Sequence, residues 1–197
     1  MVFGYLAAAV AGSAILYANL PTRLTLGNIY PTAAYLSQAK ILPIEKGKDI
    51  QNAQPIKASN LFEKGPVLVM AVRRPGCMFC RREAEQLNTL RDKFDRKNVK
   101  VIGVLHELEG AEEFRPFLKA DLYFDPEKHF YGPSQRWLPF WMGFLRVSTF
   151  YNAYLTKKAN VKGVYLINNN ELAYVHLEGE WGDVFDPKKL EQAIDTL

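Results

Sequence analysis

The pattern of hydrophobic and polar residues divides the chain into three stretches. Residues 1–20 carry no charged side chain and are rich in alanine, valine and leucine between Val2 and Leu20. This predicts an apolar N-terminal helix of nearly bilayer-spanning length, since about 20 apolar residues cross a hydrocarbon core. Residues 21–57 contain turn formers and no sustained apolar periodicity apart from a short helical pattern at 33–40, so we expect a linker. Residues 58–197 alternate strand-like and helix-like patterns, which predicts one folded domain.

Within this domain the first half follows a β-α-β-α-β order. Continuous apolar runs of strand length predict strands buried on both faces, and apolar residues at helical spacing predict helices that pack on them. The predicted strands are 66–72, 99–105 and 122–124, and the predicted helices run from Cys77 as far as Phe94 and from Ala111 to Lys119.

The second half ends in a predicted hairpin and a closing helix. Strand-like residues 161–167 and 172–177 flank Asn168-Asn169-Asn170, a triplet that tolerates positive φ and therefore favours a tight turn. The last helix begins at Asp186-Pro187. Parallel βαβ units followed by a hairpin and a helix outline the thioredoxin fold. We therefore expect an α/β domain with a central mixed β-sheet flanked by helices.

An aromatic segment at residues 130–154 interrupts this order. It holds nine aromatic residues, among them Trp137, Trp141, Phe144 and Tyr151. We expect a helical insertion here. It either covers a face of the sheet as ordinary core or forms an apolar pocket or membrane-facing surface beside the reactive site.

Composition narrows the class of protein. Apolar residues make up 48% of the 197 residues and charged residues 23%, which is typical of globular proteins and excludes a disordered or wholly membrane-embedded chain. The formal net charge is +4, and basic residues are mixed with acidic ones rather than gathered into a stripe. We therefore expect no nucleic-acid binding.

The two cysteines of the chain, Cys77 and Cys80, are the candidate catalytic residues. A disulfide between residues so close in sequence closes a small loop and stabilises the fold little, so chemistry is the better reason for their spacing. They open a predicted helix, whose N-terminus favours the thiolate form. Four nearby arginines add positive charge that we expect to stabilise the thiolate: Arg73, Arg74, Arg81 and Arg82.

Zinc binding is the main alternative use of two thiols at this spacing. The histidines are His106, His129 and His176, which form no His-x₃₋₅-His pair. Each is expected to be a strand-end or surface residue. We therefore expect no metal and no bound cofactor, with half a zinc site and a pair of inert buried cysteines as the alternatives.

Four motifs are distinctive: Met70-Ala71-Val72-Arg73-Arg74-Pro75-Gly76-Cys77 with Cys80 three residues on, Phe130-Tyr131-Gly132-Pro133, Met142-Gly143-Phe144 and Tyr151-Asn152. Together they resemble the peroxiredoxin-like 2 family, most of all its 2A branch. The resemblance covers residues 58–197, and the uncharged N-terminal stretch is similar too. It implies a thioredoxin-like fold, a redox-active Cys-x-x-Cys at Cys77 and Cys80, and an antioxidant or redox-regulatory role. For a sister branch it implies reduction of prostaglandin-type endoperoxides with electrons from thioredoxin.

Our first hypothesis is a thiol oxidoreductase. One thiolate attacks a peroxide, endoperoxide or disulfide, the other thiol resolves the intermediate to the Cys77–Cys80 disulfide, and thioredoxin or glutathione restores the dithiol. Helix geometry favours Cys77 as the attacking residue, whereas the peroxiredoxin register favours Cys80. The alternatives are a prostaglandin F synthase-like endoperoxide reductase and a non-enzymatic redox sensor or binding protein.

The apolar stretch at residues 1–20 affects where in the cell we expect the protein to be. Three interpretations stay open: a membrane anchor through residues 2–20, a cleaved signal peptide, and a helix packed on the domain. They imply a membrane-associated, a secreted and a cytoplasmic protein respectively. The expected partners are a thioredoxin-type reductant and a peroxide or lipid substrate.

Overall fold

The computed structural model describes residues 2–25, 30–133, 139–147, 163–177 and 184–197. The strands are β1 (Lys40–Pro43), β2 (Ile56–Lys57), β3 (Val67–Val72), β4 (Lys100–Leu105), β5 (Asp121–Phe124), β6 (Gly163–Asn168) and β7 (Glu171–Leu177). The helices are α1 (Val2–Ala18), α2 (Thr22–Thr25), α3 (Ala33–Ser37), α4 (Ser59–Phe62), α5 (Met78–Asn88), α6 (Arg91–Arg96), α7 (Ala111–Leu118), α8 (Phe140–Leu145) and α9 (Pro187–Asp195). Short 3₁₀ turns lie at Ile50–Asn52 and His129–Tyr131.

The strands of the described residues form one mixed sheet in the order β2-β1-β5-β4-β3-β6-β7. Its centre is parallel: Val72 of β3 lies opposite Leu105 of β4, which lies opposite Phe124 of β5. β6 and β7 extend one side as an antiparallel hairpin, and β1 pairs antiparallel with β5 on the other. Parallel units followed by a hairpin and a helix confirm the predicted thioredoxin-like α/β fold.

Both faces of the central strands are buried. On one face Leu68, Met70 and Val72 of β3 join a core supplied by α5, α6, α7 and α9. On the other face Val69 and Ala71 join a core supplied by α3, α4 and β6. Successive residues of a strand point to opposite faces, so β3 must be apolar throughout to satisfy both cores. This is why its sequence is an uninterrupted apolar run.

The hairpin and the last helix also follow their predictions. Asn169 and Asn170 adopt positive φ angles of 50° and 60°, as the asparagine triplet predicts for a tight turn. The Asp186 carboxylate accepts a hydrogen bond from the backbone N–H of Lys188 at 3.0 Å, which caps α9. The predicted strand residues 161 and 162 lie outside the described residues.

Two stretches differ from the sequence-based expectation. Residues 21–57, expected as a linker, contribute α3, β1 and β2, and Ile41 of β1 is fully buried. β1 and β2 are four and two residues long, too short for alternation to be visible in the sequence. The helix expected from Cys77 to Phe94 is divided into α5 and α6, because the backbone of Leu90 leaves helical geometry with φ −95° and ψ 6°.

α1 contacts the rest of the described chain at its C-terminal end. Ala18 packs against Met142 of α8, and the Arg146 guanidinium donates hydrogen bonds to the carbonyl oxygens of Ala18, at 2.6 Å, and of Leu20. Among the described helices, none combines the length and the apolar character needed to cross a membrane.

The aromatic segment at residues 130–154 is described in part. Phe130 is fully buried against the sheet, whereas Trp141 and Phe144 of α8 are about half exposed. Trp137, Tyr151 and the predicted motif residue Asn152 lie outside the described residues. The described part therefore contributes both to the core and to the surface.

Candidate active site

The parallel strands end on polar residues along one edge of the sheet. Arg73 follows β3, His106 follows β4 and Asp125 follows β5. The backbone hydrogen bonds between the strands continue one residue past the strand ends. The N–H of His106 donates to the carbonyl of Val72 at 3.1 Å, and the N–H of Asp125 donates to the carbonyl of Leu105 at 2.9 Å. In open α/β sheets, ligands bind at the carboxyl ends of such strands.

The dithiol lies at this edge, at the start of α5. Cys77 is the residue before the helix, in extended conformation with φ −73° and ψ 125°. Its carbonyl accepts a hydrogen bond from the N–H of Arg81 at 3.2 Å, the first bond of the helix. Cys77 is partly exposed and Cys80 is 3% exposed, and no disulfide joins them. The two thiols thus occupy different environments on one helix.

Their environments affect proton affinity. A side-chain hydrogen bond with Cys77 and burial in the core raise the pKa of the Cys80 thiol far above its ordinary value. The negative charges of Cys77 and Glu83 act in the same direction, whereas a hydrogen bond from the backbone of Arg74 acts against them. The Cys80 thiol therefore keeps its proton at physiological pH and can donate it in a hydrogen bond to Cys77.

The predicted thiolate-stabilising arginines occupy distinct positions. Arg74 lies 3.7 Å from the Glu107 carboxylate in an exposed ion pair. The Arg81 guanidinium donates a hydrogen bond to the carbonyl of Pro75 at 3.2 Å and lies over the ring of Phe117, 5.1 Å from its centre. Arg81 therefore braces the turn before Cys77. Arg73 is exposed and Arg82 is partly buried in the N-terminal half of α5.

A glycine contact fixes the position of this turn. Gly110, just before α7, has φ +81°, and a Cβ placed on it would lie 2.9 Å from the backbone nitrogen of Gly76. This backbone conformation and this close approach both favour glycine. The loop after β4 therefore packs directly against the backbone beside Cys77.

Three titratable residues at this edge were not predicted as site residues. His106 is 5% exposed, and its ring meets that of Tyr131 edge-on with centroids 3.8 Å apart. Glu83, one turn after Cys80 on α5, is fully buried. His106 directly follows the apolar run 99–105, so its place at the end of a predicted strand could have indicated it. Tyr131 belongs to the distinctive motif Phe130-Tyr131-Gly132-Pro133, but that motif did not indicate a place beside the dithiol, and Glu83 gave no signal.

Among the described residues, no group of three or more histidine, cysteine, aspartate or glutamate side chains is placed to hold a metal ion.

Comparisons with known proteins identify related chains and a shared fold. The AhpC/TSA antioxidant enzyme family matches residues 86–164. Peroxiredoxin-like 2A of Mus musculus is 31% identical over 84% of this chain and 85% of its own length, and that of Homo sapiens is 32% identical over 77% and 75%. The solved structure of Mycobacterium tuberculosis AhpC shares the fold, with a TM-score of 0.52 at 14% identity, covering 86% of this chain and 98% of that one.

Proposed function

Since the chain belongs to the peroxiredoxin-like 2 family, we propose that it is a thiol-dependent antioxidant and redox-regulatory protein whose Cys77–Cys80 dithiol reduces peroxides, endoperoxides or disulfides. The observation that carries the proposal is the asymmetry of the two thiols. Cys77 is partly exposed at a helix N-terminus, whereas Cys80 is buried and hydrogen-bonded to it. An accessible thiol beside a buried one is the arrangement that an attacking and a resolving cysteine require.

In the proposed reaction Cys77 attacks. The helix N-terminus and the hydrogen bond with Cys80 both stabilise negative charge on the Cys77 sulfur. With a hydroperoxide, the Cys77 thiolate forms an S–O bond as the O–O bond breaks, which leaves a sulfenic acid and an alkoxide that takes up a proton. The Cys80 sulfur then attacks Cys77, water leaves, and the Cys77–Cys80 disulfide forms. Two electrons from an external dithiol restore the reduced pair.

The arginines and the reductant complete the proposal. Arg73 and Arg74 stand on the exposed side of the edge, where their charge favours anionic species near Cys77. Arg81 acts through the turn that it braces, and Arg82 contributes its positive charge from the N-terminal half of α5. The partly exposed Cys77 is also the sulfur that a thioredoxin-type protein or glutathione would reach to reduce the disulfide. The dithiol itself uses no bound cofactor in this cycle.

Coupled NADPH consumption tests the proposal. The full chain would be assayed with thioredoxin and its reductase, and separately with the glutathione system, against hydroperoxides, a prostaglandin endoperoxide and a small disulfide. We expect turnover with at least one substrate and a reductant. A non-enzymatic redox sensor would instead be oxidised once, in stoichiometric amount, without turnover, and that result would overturn the enzyme proposal.

The two cysteine variants test the roles separately. Cys77→Ser should abolish the first reaction with substrate, whereas Cys80→Ser should complete that reaction and stop at an unresolved sulfenic acid. Mass spectrometry of the oxidised wild type should find a monomer lighter by two hydrogen atoms. The reverse assignment would follow if Cys80→Ser blocked the first reaction and Cys77→Ser did not.

A further inference from the structure

Tyr131 stands at the dithiol edge on a rigid support. Its neighbour Phe130 is fully buried, and the backbone N–H of Phe130 donates to the Asp125 carboxylate at 3.0 Å. The carbonyl of Phe130 accepts a hydrogen bond from the hydroxyl of Tyr165 at 2.8 Å. The Tyr131 ring itself is held edge-on against the buried His106 ring. A side chain supported in this way is preorganised rather than adaptable.

The Tyr131 phenol lies at the same edge of the sheet as the dithiol, since the His106 ring that it contacts follows β4, beside the end of β3. Burial raises the pKa of Tyr131 to about 12, the charges of Arg73 and Arg74 act against this shift, and that of Glu107 acts with it. These charged groups come from the loops after β3 and β4. The hydroxyl is thus protonated at every physiological pH and can give up its proton at the edge that holds the dithiol.

The substrates of the proposed function differ in their need for a proton. Cleavage of an O–O bond releases an alkoxide or a hydroxide, whose conjugate acid is much weaker than a phenol. Even with its pKa raised to about 12, the Tyr131 phenol would therefore protonate such a leaving group favourably. Cleavage of a disulfide releases a thiolate whose conjugate acid has a pKa of about 8.5, which needs no proton from a phenol.

We propose that Tyr131 is the general acid of this site, donating its hydroxyl proton to the oxygen that leaves when Cys77 breaks an O–O bond. The inference rests on the proposed function and narrows its substrates to hydroperoxides and endoperoxides. In the step, the Cys77 thiolate bonds to one oxygen, the O–O bond breaks, and the leaving oxygen takes the Tyr131 proton to become an alcohol. The resulting phenolate lies near Arg73 and Arg74 and regains its proton from water.

The test measures single-turnover oxidation of the reduced thiols in wild type and Tyr131→Phe, which keeps the ring and its contact with His106. With an alkyl hydroperoxide we expect the second-order rate constant to fall about 100-fold, the lower range of general acid catalysis. With a small disulfide we expect a change of less than about twofold, because the leaving thiolate needs no proton. An unchanged circular dichroism spectrum and melting temperature show that the variant is folded.

Tyr123→Phe is the matched control. Tyr123 is a buried tyrosine of β5 whose pKa is likewise raised by burial, but its hydroxyl lies near Lys100 and Asp121, away from the dithiol. Removing that hydroxyl should change neither reaction by more than about twofold. Equal losses in the two variants would show a general effect of removing a buried phenol and would overturn the inference.

Leaving-group dependence separates acid catalysis from a structural role. A peracid releases a carboxylate whose conjugate acid has a pKa of about 4, so its reduction needs no proton donor. Tyr131→Phe should therefore slow the alkyl hydroperoxide but not the peracid. Equal slowing of both would mean that Tyr131 only shapes the site, and the inference would be wrong.

The single-turnover assay also keeps the two proposals apart. If Tyr131→Phe slows peroxide oxidation selectively but wild type shows no turnover with any reductant, the inference stands and the enzyme proposal fails. If wild type turns over peroxides and Tyr131→Phe matches it, the enzyme proposal stands and the inference fails. If neither hydroperoxides nor endoperoxides oxidise the wild-type thiols, the inference fails, whereas turnover with a disulfide would still support the enzyme proposal.

Discussion

The dithiol edge and the N-terminal corner are built in opposite ways. The dithiol edge comprises the carboxyl ends of β3 and β4, the start of α5, and the residues His106 and Tyr131. There, strands are buried on both faces, and a Cβ on Gly110 would press against the backbone of Gly76. Three titratable side chains are buried at this edge, Cys80, Glu83 and His106, and a fourth, Tyr131, is partly buried.

The N-terminal corner comprises α1, α8 and Arg146. Phe3 is 89% exposed and Leu16 is 73% exposed, and a Cβ placed on Gly12 would have no described atom within 4 Å beyond its chain neighbours and its own helix backbone. The corner is held by a few polar contacts, including the hydrogen bonds from Arg146 and one from the Asn19 amide to the carbonyl of Leu145 at 2.8 Å. Apolar residues are therefore exposed here, while polar ones are buried at the dithiol edge.

The contrast indicates where function resides in the fold. Burying titratable groups costs free energy that a purely structural region would avoid, so their concentration at one edge favours chemistry there. The exposed apolar surface of α1 gains nothing from the described domain. A change in one region can therefore be compared with a matched change in the other.

The largest expected difference is in catalysis. Cys77→Ser should lower peroxide turnover by at least about 1,000-fold, since removal of a catalytic nucleophile has effects of that size or more. Deleting residues 2–14, which leaves the Arg146 contacts in place, should change turnover by less than about threefold. A deletion that lost activity to a similar degree, measured in the same coupled assay, would show that the corner takes part in the site.

The second difference is in stability. Gly110→Ala forces a side chain into a positive-φ position against the backbone of Gly76, and overpacking of this kind costs about 1–3 kcal/mol. Gly12→Ala, in the middle of α1 with open space around it, should cost nothing and can add up to about 1 kcal/mol through helix propensity. Urea unfolding measures the change in the free energy of unfolding for each of the two variants. Similar losses in both would mean that α1 is as tightly packed as the site.

The sequence predicts those elements accurately whose signal is local in the chain. β3, β4, α7 and the hairpin were predicted closely because long apolar runs, helical periodicity and the asparagine triplet are local signals. β1 was missed because its one fully buried residue, Ile41, contributes no visible pattern. Its place in the sheet comes from pairing with β5, which is more than 75 residues away in the chain.

At the site, the dithiol could be proposed from its spacing, but its surroundings could not. Cys77 and Cys80 are close in sequence and open a helix, as predicted. The contact between His106 and Tyr131 joins two loops that follow different strands, so only the folded sheet reveals it. The uneven burial of the two thiols likewise depends on how α5 packs on the core. The roles of the four arginines remain a prediction.

A third difference concerns the hydrogen bonds that fix the C-terminal end of α1. Arg146→Ala removes the hydrogen bonds to Ala18 and Leu20, and hydrogen bonds from a charged group contribute about 1.5–3 kcal/mol. We expect faster hydrogen exchange at residues 15–20 and unchanged thiol reactivity. The control is Lys48→Ala, which removes an exposed ion pair with Glu45 and should cost less than about 1 kcal/mol. If exchange at residues 15–20 did not change, other contacts would hold the corner.

The smallest predicted effect is a loss of stability at high pH that depends on Cys80. Burial and the hydrogen bond with Cys77 raise the pKa of Cys80 in the folded protein, whereas in the unfolded chain it returns to about 8.5. Below that pH both states bind the proton, so this contribution to stability is fully present. As the pH rises, the unfolded state releases the proton while the folded state keeps it, and the free energy of unfolding falls by up to about 1.4 kcal/mol per pH unit.

The difference between wild type and Cys80→Ser isolates this contribution, because serine does not titrate in the range and the other groups cancel. Between pH 8.5 and 9.5 the reduced wild type should lose about 1 kcal/mol more than the variant in urea unfolding. The disulfide form should lose no more than the variant, since its sulfurs carry no proton. Parallel pH profiles for reduced wild type and Cys80→Ser would mean that the Cys80 thiol is not held protonated. The two sulfurs would then not form the asymmetric pair on which the proposed function rests.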